Sequence, residues 1–196
     1  MAAQLAGELQ DLLEIDTLEA ADLVLIDDFT AFQSREEEIL TRVEAGARAI
    51  FLELKPGCYE IGGSQVVVKN NVFNPSYFVS RRTGHPLVEG FEPHDFRYWY
   101  DPKVDRLAPL IAATFKADGF IKVLASGNMD EEGCWREALA VGERKYGKGS
   151  LVLCQVRLAG RTTTNPPARM FGERLVGGSR REMGPKPLQL AEGMAA

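Results

Sequence analysis

The sequence predicts a single α/β domain in three layers, with a mostly parallel sheet that ends in an antiparallel hairpin. Three observations carry this reading. Apolar runs at residues 21–27 and 48–54 flank a helical pattern, and a strand–helix–strand unit of this kind makes parallel neighbours. Residues 138–143 and 150–156 have strand composition, and Tyr146-Gly-Lys-Gly149 between them supplies glycines for a tight reversal. Leu151, Val152, Leu153 and Cys154 form a nearly continuous apolar run, the pattern of a strand buried on both faces.

Taken in order, residues 3–14 carry Leu5, Leu9, Leu12 and Leu13 at helical spacing. The strand at 21–27 ends in Asp27 and Asp28. Ser34-Arg-Glu-Glu37 reads as a capping box opening a helix that buries Ile39, Leu40 and Val43, with Gly46 closing it. After the strand at 48–54, residues 55–75 suggest a small excursion with a strand at 66–68 and an Asn-rich turn. Residues 95–101, DFRYWYD, suit a short strand. Strands are expected at 110–115 and 120–125, parted by the turn signal Lys116-Ala-Asp-Gly119. A helix over 105–116 is the alternative, which Pro109 opposes. Asn165 and Pro166 open a last helix with the apolar stripe Met170, Phe171 and Leu175. Residues 1–176 read as one domain and 177–196 as a flexible tail.

The chain of 196 residues suffices for one sizeable core. No apolar run approaches the ~20 residues of a membrane helix, and the N-terminus lacks a secretory pattern. Residues 1–60 hold 4 Lys or Arg against 14 Asp or Glu, and the remainder 19 against 14. The net charge of −5 is thus a −10 segment followed by a +5 segment, with no chain-wide basic stripe for nucleic acid. Cys58, Cys134 and Cys154 fit no metal spacing and read as free, mostly buried thiols of a reducing, cytoplasmic compartment.

Candidate chemistry is thin. Cys58 follows a strand, but lacks the flanking glycines of a nucleophile turn. His85 and His94 are the candidate bases, and with Glu89, Glu92 and Asp95 they make no metal-specific spacing. Asp27 and Asp28 stand at a strand's carboxyl end, yet adjacent residues point apart, so a loop start or helix cap is the simpler expectation. The aromatics at 96–100 suit core or subunit contact, with sugar stacking as the alternative. Trp99, Trp135 and Asn128 are the carbohydrate-contact candidates. No catalytic residue, metal or cofactor is expected.

His85-Pro-Leu-Val-Glu-Gly90 with Asp95-Phe96, then Pro109-Leu-Ile-Ala-Ala-Thr-Phe115, then Ala140-Val-Gly-Glu-Arg-Lys-Tyr-Gly-Lys-Gly-Ser-Leu-Val-Leu153 occur in that order. Together they resemble the class I glutamine-amidotransferase-like domains of the β-galactosidase trimerisation type. The run 105–167 looks most like the version in glycoside hydrolase family 2 chains. The resemblance, covering about 21–175, implies a flavodoxin-like sandwich with a non-catalytic, accessory role. It also implies the rest of a glycoside hydrolase chain or its subunits as partner. Such domains begin with a strand before the first helix, and that strand is missing here. An unpaired edge beside residues 21–27 is therefore expected, and with it a homo-oligomer.

Overall fold

The computed structural model describes residues 1–9, 18–71 and 83–177. The helices are α1 (Ala2–Glu8), α2 (Phe29–Ser34), α3 (Glu36–Ala45) and α4 (Pro166–Gly177). The strands are β1 (Leu23–Ile26), β2 (Arg48–Leu52), β3 (Gly57–Ile61), β4 (Ser64–Asn70), β5 (Tyr98–Asp101), β6 (Arg106–Pro109), β7 (Ala113–Ala117), β8 (Ile121–Met129), β9 (Trp135–Tyr146) and β10 (Gly149–Cys154). Leu12, Leu13, most of the Asn-rich turn and residues 178–196 lie outside the described residues.

The flavodoxin-like parallel sandwich is overturned. Strands hold 40% of the structure and helices 28%, in a curled mixed sheet that forms a half-barrel. The main sheet runs β1-β2-β10-β9-β7-β4-β3, with β8 also bonded to β9. Only β1–β2 and β2–β10 are parallel. The strand–helix–strand unit therefore forms as expected, and so does the β9–β10 hairpin. The reason for the rest is connection length. A parallel neighbour needs a crossover of a dozen or more residues, and between β3 and β4 there are two, Gly62 and Gly63, with φ of +55° and +75°. Such a turn returns the chain antiparallel. Residues 57–70 are thus an edge of the main sheet, not an excursion from it.

The curl comes from β9. Its 12 residues bond to β10 over 141–146, to β8 over 135–143 and to β7 at Leu139. Val66, Val68 and Phe115 thereby bend round to share one core with Phe51, Leu151 and Leu153, closed by Phe32, Ile39 and Val43 of α2 and α3. The opposite face of β2 and β10 presents Ile50, Leu52 and Val152 to Leu5 of α1, Leu9 just after it, and Phe171 and Leu175 of α4. Burial on both faces is what the unbroken apolar run of β10 signalled. Met170, expected in the stripe of α4, is 37% exposed.

Local expectations fail where a competing partner exists. Asp28 caps α2 by accepting from the Thr30 and Ala31 N–H groups at 2.9 and 3.4 Å. Ser34 is then already helical, and its hydroxyl donates back to the Ala31 carbonyl at 2.8 Å instead of opening α3. No helix spans 105–116: β6 pairs with β5 there, and β7 begins at Ala113 rather than 110. Phe96 and Trp99 pack with Phe91 and Phe171, and Phe96 meets Phe171 edge-on at 5.4 Å. Phe96 and Trp99 are core, while Tyr98 is 37% exposed.

Gly149 tests how tightly the hairpin is seated. A Cβ there would lie 1.9 Å from the Ala47 carbonyl oxygen and 2.4 Å from that of Val43. Gly63 has φ +75° but open space around it. We predict that Gly149→Ala costs about 2–4 kcal/mol and Gly63→Ala about 1 kcal/mol in urea unfolding. Equal losses would show that crowding at the β9–β10 turn is relieved by a backbone shift.

Candidate functional site

Polar groups gather at two ends of the parallel strands. At the amino end of β2, Arg48 donates from Nη2 to Glu143 Oε1 of β9 at 2.8 Å and from Nη1 to the Leu175 carbonyl of α4 at 3.0 Å. Its Nε donates to the Ser150 hydroxyl of β10 at 3.2 Å. The other Glu143 oxygen meets His85 Nε2 at 2.9 Å. His85 Nδ1 accepts from the Leu87 N–H at 3.2 Å, which leaves Nε2 as the nitrogen that donates to Glu143. The three side chains are 9–12% exposed. Burial pushes the Glu143 carboxyl up, but the His85 hydrogen bond, the Arg48 charge and the Ser150 hydroxyl outweigh it and hold the group at about 2.

At the carboxyl end, Asp27 accepts from the Ala2 N–H at 2.7 Å and pairs with the amino terminus at 2.9 Å. Glu53, just after β2, lies 3.6 Å from Arg157 Nε. Arg161 is 3% exposed, pairs with Asp101 at 2.6 Å and donates to the Pro109 carbonyl at 3.0 Å. Burial pushes the Glu53 carboxyl up, against the pull of Arg157, Arg161, Lys103 and the amino terminus.

The structure places the sequence candidates as follows. Cys58 is exposed on β3 and has no hydrogen bond to either histidine among the described residues. His85 offers no free nitrogen to a nucleophile, and His94 stands 76% exposed, 3.7 Å from Asp95. Cys154 is the one buried cysteine; burial pushes its thiol up to about 12, so it is inert. Cys58 and Cys134 are exposed, against the expectation of mostly buried thiols. Asp27 and Asp28 diverge, one to α1 and one to the α2 cap. Trp99 is 2% exposed and donates from Nε1 to the Asp95 carbonyl at 2.8 Å. Asn128 is buried and donates to the Asn70 carbonyl and Thr114 Oγ1 at 3.0 and 2.8 Å. Trp135 alone of these three presents a face to solvent, at 43% exposure.

The Arg48–Glu143–His85 cluster was not read from the sequence, and neither were two further groupings. Asp130, Glu132 and Cys134 bring ligand-type atoms within 4.8 Å of one another in the β8–β9 turn. Asp130 Oδ1 accepts from the Glu132 and Cys134 N–H groups and Oδ2 from Arg136, so this is turn geometry. The second grouping is Glu53 with Arg157, 104 positions apart in the chain, which no local spacing could reveal. Among the described residues, no helix is long and apolar enough to cross a membrane.

No protein-family profile matches this chain, and no curated protein does. Solved structures do. A β-galactosidase from Rahnella sp. R3 is 15% identical, with a TM-score of 0.49, over 87% of this chain and 24% of that one. A cytoplasmic protein from Salmonella typhimurium is 11% identical, with a TM-score of 0.52, over 92% and 86%. Another, from Salmonella typhimurium LT2, is 11% identical, with a TM-score of 0.42 over the same shares. The chain spans about a quarter of the length of the β-galactosidase chain it matches. At 11% identity and a TM-score of 0.52, the likeness to the first Salmonella protein is one of fold alone.

Replacing Arg48 by Met strands the Glu143 carboxylate. Loss of one partner of a buried pair costs about 3–5 kcal/mol, and Arg48→Met with Glu143→Gln should cost less than Arg48→Met alone. Denaturant unfolding of the cycle measures this. Acid should act through the same group. The folded carboxyl titrates near 2 and its ordinary value is 4.5, so its contribution is complete above pH 4.5 and disappears as pH falls to 2. A loss of roughly 3 kcal/mol across that window is expected, absent in Glu143→Gln, by unfolding at stepped pH.

Proposed function

We propose that this chain is a non-catalytic, architectural domain of a glycoside-hydrolase assembly, working in a reducing, cytoplasmic setting. The observation that carries the reading is the occupation of both ring nitrogens of His85, by Glu143 and by the Leu87 N–H. A general base needs one nitrogen free to face a substrate or nucleophile. The glycoside-hydrolase part is supported by the three motif stretches. The fold uses each as a structural part: His85-Pro-Leu-Val-Glu-Gly90 as the turn docked on Glu143, Tyr146-Gly-Lys-Gly149 as the β9–β10 reversal, and the strand β7 inside the curled core. The three free thiols fit the setting.

Self-association belongs to the same proposal. β1 ends the strand order of the main sheet, and Leu23, Val24 and Leu25 are only half-buried. An edge of this kind pairs readily with another chain.

The chain alone should neither cleave an aryl β-galactoside nor release ammonia from glutamine. It should raise the activity or stability of a glycoside-hydrolase catalytic chain from the same source, and light scattering should give a mass above the monomer. Turnover that disappears in Cys58→Ala would overturn the non-catalytic reading. A monomer with no effect on such a chain would overturn the architectural one.

A further inference from the structure

Most of the part-buried charged groups described above are hydrogen-bonded by the fold, and Glu53 is not. It has φ +47°, in the left-handed region that a side chain such as glutamate rarely adopts. Its N–H is held by the Cys154 carbonyl at 2.8 Å, so the β2–β10 ladder fixes the residue there. The carboxyl is only 23% exposed, yet among the described residues no donor hydrogen-bonds it; Arg157 Nε at 3.6 Å is beyond hydrogen-bond reach.

The charges around it are unequal. Asp27 follows β1, Glu53 follows β2, and Arg157 follows β10, so they meet where three parallel strands end. The amino terminus is matched by Asp27 and Arg161 by Asp101. Arg157 has only the loose contact with Glu53, and Lys103, in the β5–β6 turn, has no ion pair among the described residues. The buried Cys154 thiol, which is neutral, also feels the Glu53 charge. Two cations thus face one poorly solvated acid. A cationic ligand would be repelled by Arg157 and Lys103, whereas an anion would gain both of them if the acid carried its proton.

We propose that Glu53 and Arg157 form a binding site for a small oxyanion, in which the protonated Glu53 carboxyl donates a hydrogen bond to the ligand and the Arg157 guanidinium pairs with it. The proton comes from solvent, so each anion bound near neutral pH takes up one proton at Glu53. The guanidinium fork suits a carboxylate or a tetrahedral phosphate-like group alike. Burial, which raises the Glu53 carboxyl, brings this protonation nearer to neutral pH. The site does not depend on the architectural role proposed above.

The test is a titration of the full chain with sodium formate and with sodium sulfate at constant ionic strength. Both anions keep their charge between pH 5.5 and 7.5, and sodium chloride serves as the control. NMR of the Glu53 N–H and Arg157 Nε–H signals reads occupancy. Saturable shifts are expected, with affinity falling as pH rises from 5.5 to 7.5, by about tenfold per pH unit wherever the free carboxyl is ionised and binding takes up one proton. Glu53→Gln keeps a donor at every pH and should bind equally at pH 5.5 and 7.5, and more tightly than the wild type at pH 7.5. Arg157→Ala, at a side chain 42% exposed, should remain folded by thermal melting and lose binding at both pH values. Tighter formate binding identifies a carboxylic acid as the ligand, and tighter sulfate binding a phosphate ester; either supports the site. Shifts that do not saturate, binding untouched by Arg157→Ala, or a pH dependence that persists in Glu53→Gln would overturn it.

Discussion

Glu143 is the acid on which the layers converge. It sits in β9, buried, and is held ionised by groups from three other parts of the chain: Arg48 at the start of β2, Ser150 at the start of β10 and His85 ahead of the Leu87–Val88 turn, while Arg48 also donates to the Leu175 carbonyl of α4. A buried carboxylate is expensive to desolvate, so such a cluster is stable only when all its members are present. That makes it a register pin. A slip of one residue in β9 would turn Glu143 to the opposite face of the sheet and leave Arg48 without its carboxylate.

The curled sheet follows from the same strand. β9 is long enough to bond β10 at one end, β7 near its middle and β8 along its other edge. Its inner face and that of β4 and β7 then enclose one apolar cluster under α2 and α3, while α1, α4 and the aromatic stretch cover the far side of β2 and β10. The parallel segment near β2 keeps helices on both faces, as a three-layer domain does. The antiparallel remainder is joined by hairpins and buries its inner face by curling instead.

Polar satisfaction separates what is structural from what is open to a ligand. His85, Asp28, Asn128 and Trp99 each carry residue types that suggest chemistry, and each has its hydrogen bonds answered from within. Glu53 is positioned with equal firmness by its backbone, and among the described residues its carboxyl has the 3.6 Å contact with Arg157 and no hydrogen bond.

The sequence by itself determined the features whose causes lie within about ten residues. The β1–α3–β2 unit, Gly46 ending α3, the glycine reversal before β10 and Pro166 opening α4 were all legible, because turn chemistry and periodicity are local. Even Asn165 was placed correctly as the residue before α4, although its side-chain amide bonds both backbone groups of Tyr100 and does not cap the helix. What only the tertiary structure decided is pairing at long range. Parallel or antiparallel continuation after β2, the threefold use of β9, the burial of Trp99 and the meeting of Glu53 with Arg157 depend on segments up to 104 residues apart. Local propensity leaves such choices open, because each is settled by which distant group arrives to complete a hydrogen bond or fill a face. A flavodoxin-like sheet and a curled half-barrel share the same local signals at β1, β2 and β10, and the hairpins between them set the two apart.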